Sequence, residues 1–290
     1  MSDIIKAISG NDIKNGTSVT GVDGTGNIQS YFETGKDLNT PALSDIEDKY
    51  SARFDDITYY FHHGLVKGLE SYYRMDEASG TREDATNALR HLTDNNTVSS
   101  TGSVTTKTET ACDFTRSNTE SLSLGNASLG PLSPGSTDFS IAFWFYLKPG
   151  GFSSSQHLGG IWKTVGNNRE YLFYYKASTK KLRFYTSSNG SATGYLESDS
   201  ALAHSTWYHV AFSHETSSTG RTIFLNGALD GEDAYASGIY QGSGDFYIGR
   251  SENSTDYLDG YMDELGLWSR SLTVDDAVKL YNNGSGVRVR

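Results

Sequence analysis

Cysteine, positive charge and long apolar runs are all scarce in this chain, and each shortage removes a class of protein. The one cysteine, Cys112, cannot close an internal disulfide and lacks the CxxC or Cys/His spacing of zinc and redox sites. It follows Ala111 in an apolar stretch and reads as a buried structural thiol. Twenty-four Lys and Arg stand against 35 Asp and Glu, a formal charge of −11, and no basic cluster is longer than the Lys180, Lys181 pair. Phosphate backbones and anionic membranes are therefore repelled, so nucleic acid is not an expected partner. The longest apolar run, Ile141–Leu147, has seven residues where a membrane helix needs about 20, so no membrane insertion is expected. Met1-Ser2-Asp3-Ile4-Ile5-Lys6 has no signal-peptide core, which leads to an expectation of cytosolic synthesis without a signal peptide.

What is present divides into three segments. Residues 1–40 are rich in Gly, Asn, Thr, Asp and Ser with no sustained period, and read as an extended N-terminal arm. Residues 41–64 read as an amphipathic helix: Thr40 caps, Pro41 takes the first helical position, and Gly64 is the expected stop. Leu43, Ile46, Tyr50, Phe54, Ile57 and Phe61 recur at steps of three and four, so one face is apolar. That face must dock on the following domain, a second copy or another protein.

From residue 65 to 290 the pattern changes to short β-branched and aromatic runs separated by Gly, Ser, Asn and Thr, the pattern of an all-β, antiparallel sandwich. Phe139–Leu147 reads as a central strand whose odd positions are apolar, with small Ser140 and Ala142 between them. Further strands are expected at Tyr171–Tyr175, Leu182–Tyr185, Trp207–Phe212, Thr222–Leu225, Phe246–Ile248 and Leu265–Trp268. Asn226-Gly227 offers a hairpin turn, and Thr273–Tyr281 reads as a short helix capped by Thr273 and ended by Gly284.

An ordered series of segments then accumulates: Tyr73-Arg74-Met75-Asp76-Glu77 with Asp84, Ala111-Cys112-Asp113-Phe114, Phe139-Ser140-Ile141-Ala142-Phe143-Trp144, and Trp207-Tyr208-His209-Val210-Ala211-Phe212. Phe224-Leu225-Asn226-Gly227, Phe246-Tyr247-Ile248-Gly249-Arg250 and Leu258-Asp259-Gly260-Tyr261-Met262-Asp263-Glu264 follow. From about Gly68 to Gly286 the chain resembles the laminin-G-like, concanavalin A-like jelly-roll domains in this order of motifs. The resemblance implies a lectin-like jelly roll, and it implies a structural calcium site for which Asp76, Asp84 and Asp263 are the matching positions. The competing reading is that these carboxylates cap turns and form surface ion pairs.

Enzyme signals are sparse. No HExxH, GxSxG or P-loop stands where a strand meets a helix. Asp259 and Asp263 are the nearest approach to the paired carboxylates of a glycan-cleaving enzyme. His209 reads as a core residue. Glycan binding needs exposed aromatic faces, and Trp162, Tyr171, Tyr175 and Tyr185 are the candidates, against the alternative that most are core. If Tyr171, Phe173 and Tyr175 face one way, Leu172 and Tyr174 face the other; alternation alone does not say which face is wet.

Three functions follow as expectations. The first is a non-enzymatic structural or recognition protein, displayed on a larger assembly such as a bacteriophage virion surface and joined to other structural proteins, or to copies of itself, through residues 1–64. The second is a soluble lectin module binding surface glycans. The third is a glycan-cleaving enzyme on the same fold.

Overall fold

The computed structural model describes residues 64–101, 110–191, 193–217 and 220–289, together with four short strands nearer the N-terminus. The chain divides into two units, Met1–Phe61 and His62–Arg290. In the first, β1 (Gly21–Val22) pairs with β2 (Ile28–Ser30), and β3 (Phe32–Glu33) with β4 (Lys36–Asp37), both antiparallel. The amphipathic stripe Leu43, Ile46, Tyr50, Phe54, Ile57 and Phe61 lies outside the described residues. Gly64, expected to stop that helix, is itself helical, as are Leu65 and Val66.

The second unit contains β5 (Leu69–Tyr73), β6 (Thr93–Asn95), β7 (Ser99–Ser100), β8 (Cys112–Phe114), β9 (Ser121–Leu124), β10 (Phe139–Leu147), β11 (Gln156–Lys163) and β12 (Asn168–Lys176). They are followed by β13 (Lys181–Thr186), β14 (Gly194–Glu197), β15 (Trp207–Glu215), β16 (Gly220–Leu225), β17 (Ala228–Asp233), β18 (Phe246–Ile248), β19 (Gly260–Trp268) and helix α1 (Val274–Tyr281). An eight-stranded sheet runs β17-β16-β15-β10-β19-β8-β7, with β5 also paired to β19. A seven-stranded sheet runs β14-β13-β12-β11-β18-β9-β6. Every pairing is antiparallel, and the two sheets form a jelly-roll sandwich.

The period-two alternation of β10 explains how the sheets meet. Phe139, Ile141, Phe143, Phe145 and Leu147 point into the sandwich, where Phe143, Phe173, Phe184 and Phe212 form its aromatic centre. Phe173 and Phe212 stack with centroids 4.6 Å apart, and Phe173 and Phe184 at 5.4 Å. Cys112 is buried there as expected; Arg82 Nε donates to its Sγ at 2.9 Å, and burial pushes the thiol up to about 12.

The other face of β10 is unusual in being covered too. Ala142 sits opposite Ala211 of β15, and these small residues leave a hollow filled by Leu272, Ala277 and Leu280 from α1 and its approach. Ser140 and Ser213 hydroxyls both accept from Leu272 N, at 2.9 and 3.1 Å. Thr273 and Asp276 form a capping box, and Arg270 clamps the Asp276 carboxylate at 2.7 and 3.1 Å. Helix α1 ends on Asn282 in the left-handed conformation (φ 46°) rather than at Gly284, because asparagine tolerates that region and closes the last turn earlier.

Candidate functional site

The outer face of the seven-stranded sheet carries aromatic and charged side chains in two registered rows. In the first row Tyr195, Tyr185, Leu172, Gly160 and Tyr247 stand opposite one another across β14, β13, β12, β11 and β18. In the second, Glu197, Arg183, Tyr174 and His157 do the same across β14 to β11. Among the described residues no helix lies on this face; α1 packs on the opposite sheet.

The rings form a connected surface. Tyr185 lies 5.0 Å from Tyr195, 5.8 Å from Trp162 and 6.0 Å from Tyr174, and Tyr174 lies 5.1 Å from His157. Gly160, the one position in the first row without a side chain, makes a trough between Leu172 and Tyr247. Its φ of +140° and the 2.3 Å separation between a notional Cβ and Tyr171 O fix it as glycine.

Polar groups border the rings. Arg183 Nε donates to Glu197 Oε2 at 2.7 Å, Nη1 donates to Tyr185 Oη at 3.3 Å, and the guanidinium lies 4.3 Å over the Tyr195 ring. On the far side of the trough Arg250 stands 4.7 Å from the Tyr247 ring and donates to Tyr257 Oη at 2.9 Å. Burial holds His157 down to about 4, so it is neutral at pH 7, and raises the Tyr174 and Tyr247 hydroxyls above their ordinary value. Near the end of β12, buried Glu170 accepts from Ser133 Oγ and Gly242 N, both at 2.8 Å, and burial pushes its carboxyl up to about 7.

Two of the four candidate glycan residues come together here and two do not. Trp162 and Tyr185 are neighbours on the outer face, although Trp162 is only 7% exposed. Tyr171 and Tyr175 point inward, fully buried, and their hydroxyls donate to Leu132 O at 2.8 Å and Phe152 O at 2.9 Å. The correction has a simple cause: β12 reads Tyr-Leu-Phe-Tyr-Tyr, aromatic on both faces, so hydrophobicity does not reveal which parity is core. Tyr174 therefore takes the place assigned to its neighbours. Tyr195, Tyr247 and Arg183 were missed; Tyr195 is 46% exposed on an edge strand that no sequence pattern marked.

The three candidate calcium ligands do not converge. Asp84 accepts from the backbone N–H groups of Tyr72, Thr86 and Arg90 at 3.1, 2.9 and 3.0 Å, so it caps a turn. Asp76 pairs with Arg288, which also reaches Glu264 at 3.4 Å, while Asp263 is fully buried. Among the described residues no group of three or more His, Cys, Asp or Glu side chains is placed to hold a metal ion. The carboxylate pair considered for hydrolysis fares no better: Asp263 is sealed in and Asp259 lies 4.0 Å from Lys148 Nζ. His209 is buried beside Trp144, with burial holding it down to about 3.

A two-sheet jelly roll with one open aromatic face is a protein of the lectin-like class. The chain belongs to the Concanavalin A-like lectin/glucanases superfamily: residues 116–278, more than half its length, match the Laminin_G_3 family model. No curated protein matches the sequence. Among solved structures the binding domain of Paraclostridial Mosquitocidal Protein 1 is similar at 14% identity and a TM-score of 0.59, covering 75% of this chain and 52% of that one. The receptor binding domain of botulinum neurotoxin mosaic serotype C/D is similar at 10% identity and a TM-score of 0.57, covering 74% and 51%. This chain thus spans about half the length of those toxin domains. Domain 4 of AbnA, a GH43 extracellular arabinanase from Geobacillus stearothermophilus, in complex with arabinotriose, is similar at 13% identity and a TM-score of 0.53 over 72% of this chain and 96% of that one. At these identities the likeness is one of fold.

Proposed function

We propose that this protein is a non-enzymatic carbohydrate-recognition protein whose ligand lies across the outer face of the seven-stranded sheet. The observation that carries the reading is the pair of registered rows, in which tyrosine rings are flanked by Arg183, Glu197 and Arg250 around a trough floored by Gly160. A sugar presents C–H groups on one face and hydroxyls at its rim; tyrosine faces take the first and the flanking charged groups the second. Two solved neighbours described as binding domains, and an arabinanase domain in complex with arabinotriose, support the same reading.

Affinity electrophoresis of the full chain through gels containing soluble arabinan, xylan, β-glucan or galactomannan tests it. Retardation in at least one gel, sharply reduced in Tyr185→Ala and Tyr174→Ala while circular dichroism is unchanged, is the expected result. Undiminished retardation in both variants overturns the assignment of the face.

The division of the chain at residues 61 and 62 supports an attachment role for the first unit. In this reading residues 1–61, through the stripe Leu43, Ile46, Tyr50, Phe54, Ile57 and Phe61, carry the recognition domain on a larger assembly such as a virion surface. A chain starting at His62 then folds and keeps its ligand but no longer joins the assembly; retained incorporation overturns this role.

A further inference from the structure

The eight-stranded sheet carries a second, separate group of aromatic rings at the point where its cover stops. Helix α1 ends over Trp144, with the Tyr281 ring 5.6 Å away. Two residues further along the same face of β10, Tyr146 stands opposite Trp207 of β15 and Tyr261 of β19. The three half-buried rings close into a triangle with centroid separations of 5.7, 5.2 and 6.2 Å. The Trp207 indole N–H is buried with no hydrogen-bond partner among the described residues, and its ring lies against those of Tyr146 and Tyr261.

One edge of the triangle is polar. Lys148 Nζ lies 5.0 Å over the Tyr261 ring, donates to Asp113 Oδ1 at 2.5 Å, and stands 4.0 Å from Asp259. The three rings are each more than half buried and together expose at most about 300 Å², well under the about 800 Å² per partner that a stable protein interface needs. The patch is thus the size of a small ligand. Lys148 is already matched by two carboxylates, so the rim carries net negative charge and disfavours anionic ligands.

From this geometry we infer that Tyr146, Trp207 and Tyr261 form a second carbohydrate-binding platform, specific for a neutral sugar ring, whose hydroxyls reach Lys148, Asp113 and Asp259. The two platforms lie on opposite outer faces of one sandwich, so a single domain bridges two polysaccharide chains; the bridging, though not the second site, rests on the function proposed above.

The experiment uses the full chain with the same four neutral polysaccharides. Affinity electrophoresis reads binding, and turbidity of polysaccharide solutions reads cross-linking. Expected is turbidity with wild type, its loss in Tyr146→Ala, in Trp207→Phe and in Tyr185→Ala, and retained but weakened retardation in each of these single-face variants. Turbidity and retardation unchanged in both Tyr146→Ala and Trp207→Phe overturn the second platform and leave the first standing. Loss of all retardation in Tyr185→Ala does so too. No retardation of folded wild type by any of the polymers overturns both sites. Turbidity without polysaccharide, abolished by Tyr146→Ala, overturns the sugar assignment in favour of contact between copies.

Discussion

The two outer faces of the sandwich solve the same problem in different ways. On the eight-stranded sheet the outward positions Ser140, Ala142, Ala211 and Ser213 are small, so a helix settles close and buries Leu272, Ala277 and Leu280 against Phe224 and Trp268. On the seven-stranded sheet the outward positions are Tyr174, Arg183, Tyr185, Tyr195 and Tyr247, amphipathic side chains that cover the backbone themselves and leave hydroxyls and charge at the surface. The contrast teaches where to look for function. A face finished by a helix has its apolar surface already matched, whereas a face finished by half-buried tyrosines keeps ring surface available. The triangle of Tyr146, Trp207 and Tyr261 lies on the covered sheet just past its helix and shares the character of the open one.

The strongest way to break the comparison is to remove the core that both faces share. Phe212→Ala deletes a fully buried ring stacked on Phe173, and a loss of about 3–5 kcal/mol is expected, read by urea unfolding. Both faces should fail together; survival of either would mean that the sheets fold separately.

Glu170, near the end of the open face, gives the next largest effect. Its ordinary carboxyl value is 4.5 and burial raises it to about 7 in the folded chain, so the folded state holds a proton that the unfolded state releases between those values. Its stabilising contribution is complete below about pH 4.5 and lost as pH rises through about 7. Glu170→Gln removes the buried charge, so the variant should gain on wild type by about 2–3 kcal/mol at pH 8 and by little at pH 4.5, within the order of magnitude such a shift allows. Thermal melts at the two pH values check this, and an equal difference at both would reject it.

Smaller again is Asp276→Ala, which removes the capping box of α1 and the carboxylate partner of Arg270; about 1–2 kcal/mol should be lost. Ring-current shifts of Trp144 and Tyr281 in proton spectra would show the covering helix loosening while the open face stays in place. The smallest effect on stability belongs to Tyr185→Ala. Its ring is partly in water, and the expected loss is about 1 kcal/mol or less although ligand binding at the open face disappears and overall retardation is weakened. A large loss of stability here would make the tyrosine rows structural and remove the distinction between the faces.

Much of the architecture was legible in the residues. The runs Phe139–Leu147 and Phe246–Ile248 are strands with those bounds, Trp207–Phe212 lies within β15, and Asn226-Gly227 turns the β16–β17 hairpin with φ of 51° and 79°. β11 was not anticipated, because Gly159 and Gly160 interrupt its apolar pattern where the neighbouring strands approach closely. β19 was read too short, since Asp263 and Glu264 resemble a loop until the structure shows them buried, with burial raising Glu264 to about 8 against the opposing pull of Arg288. The calcium reading rested on aspartates from the first and last motifs of the series; Asp84 is satisfied by backbone N–H groups and Asp76 pairs with Arg288, partners that motif order does not reveal.

The sequence by itself determined the class of fold, because alternation, turn residues and capping are local and each leaves its mark within a few positions. It also determined that one set of β12 side chains faces opposite to the other. Which set meets water was decided by the tertiary structure alone: inward and outward are defined only once a second sheet packs against the first, and that sheet took Tyr171, Phe173 and Tyr175 and left Tyr174 outside. The assembly of Trp162, Tyr174, Tyr185, Tyr195 and Arg183 into one surface has the same origin, since these residues come from four strands and only sheet register sets them side by side.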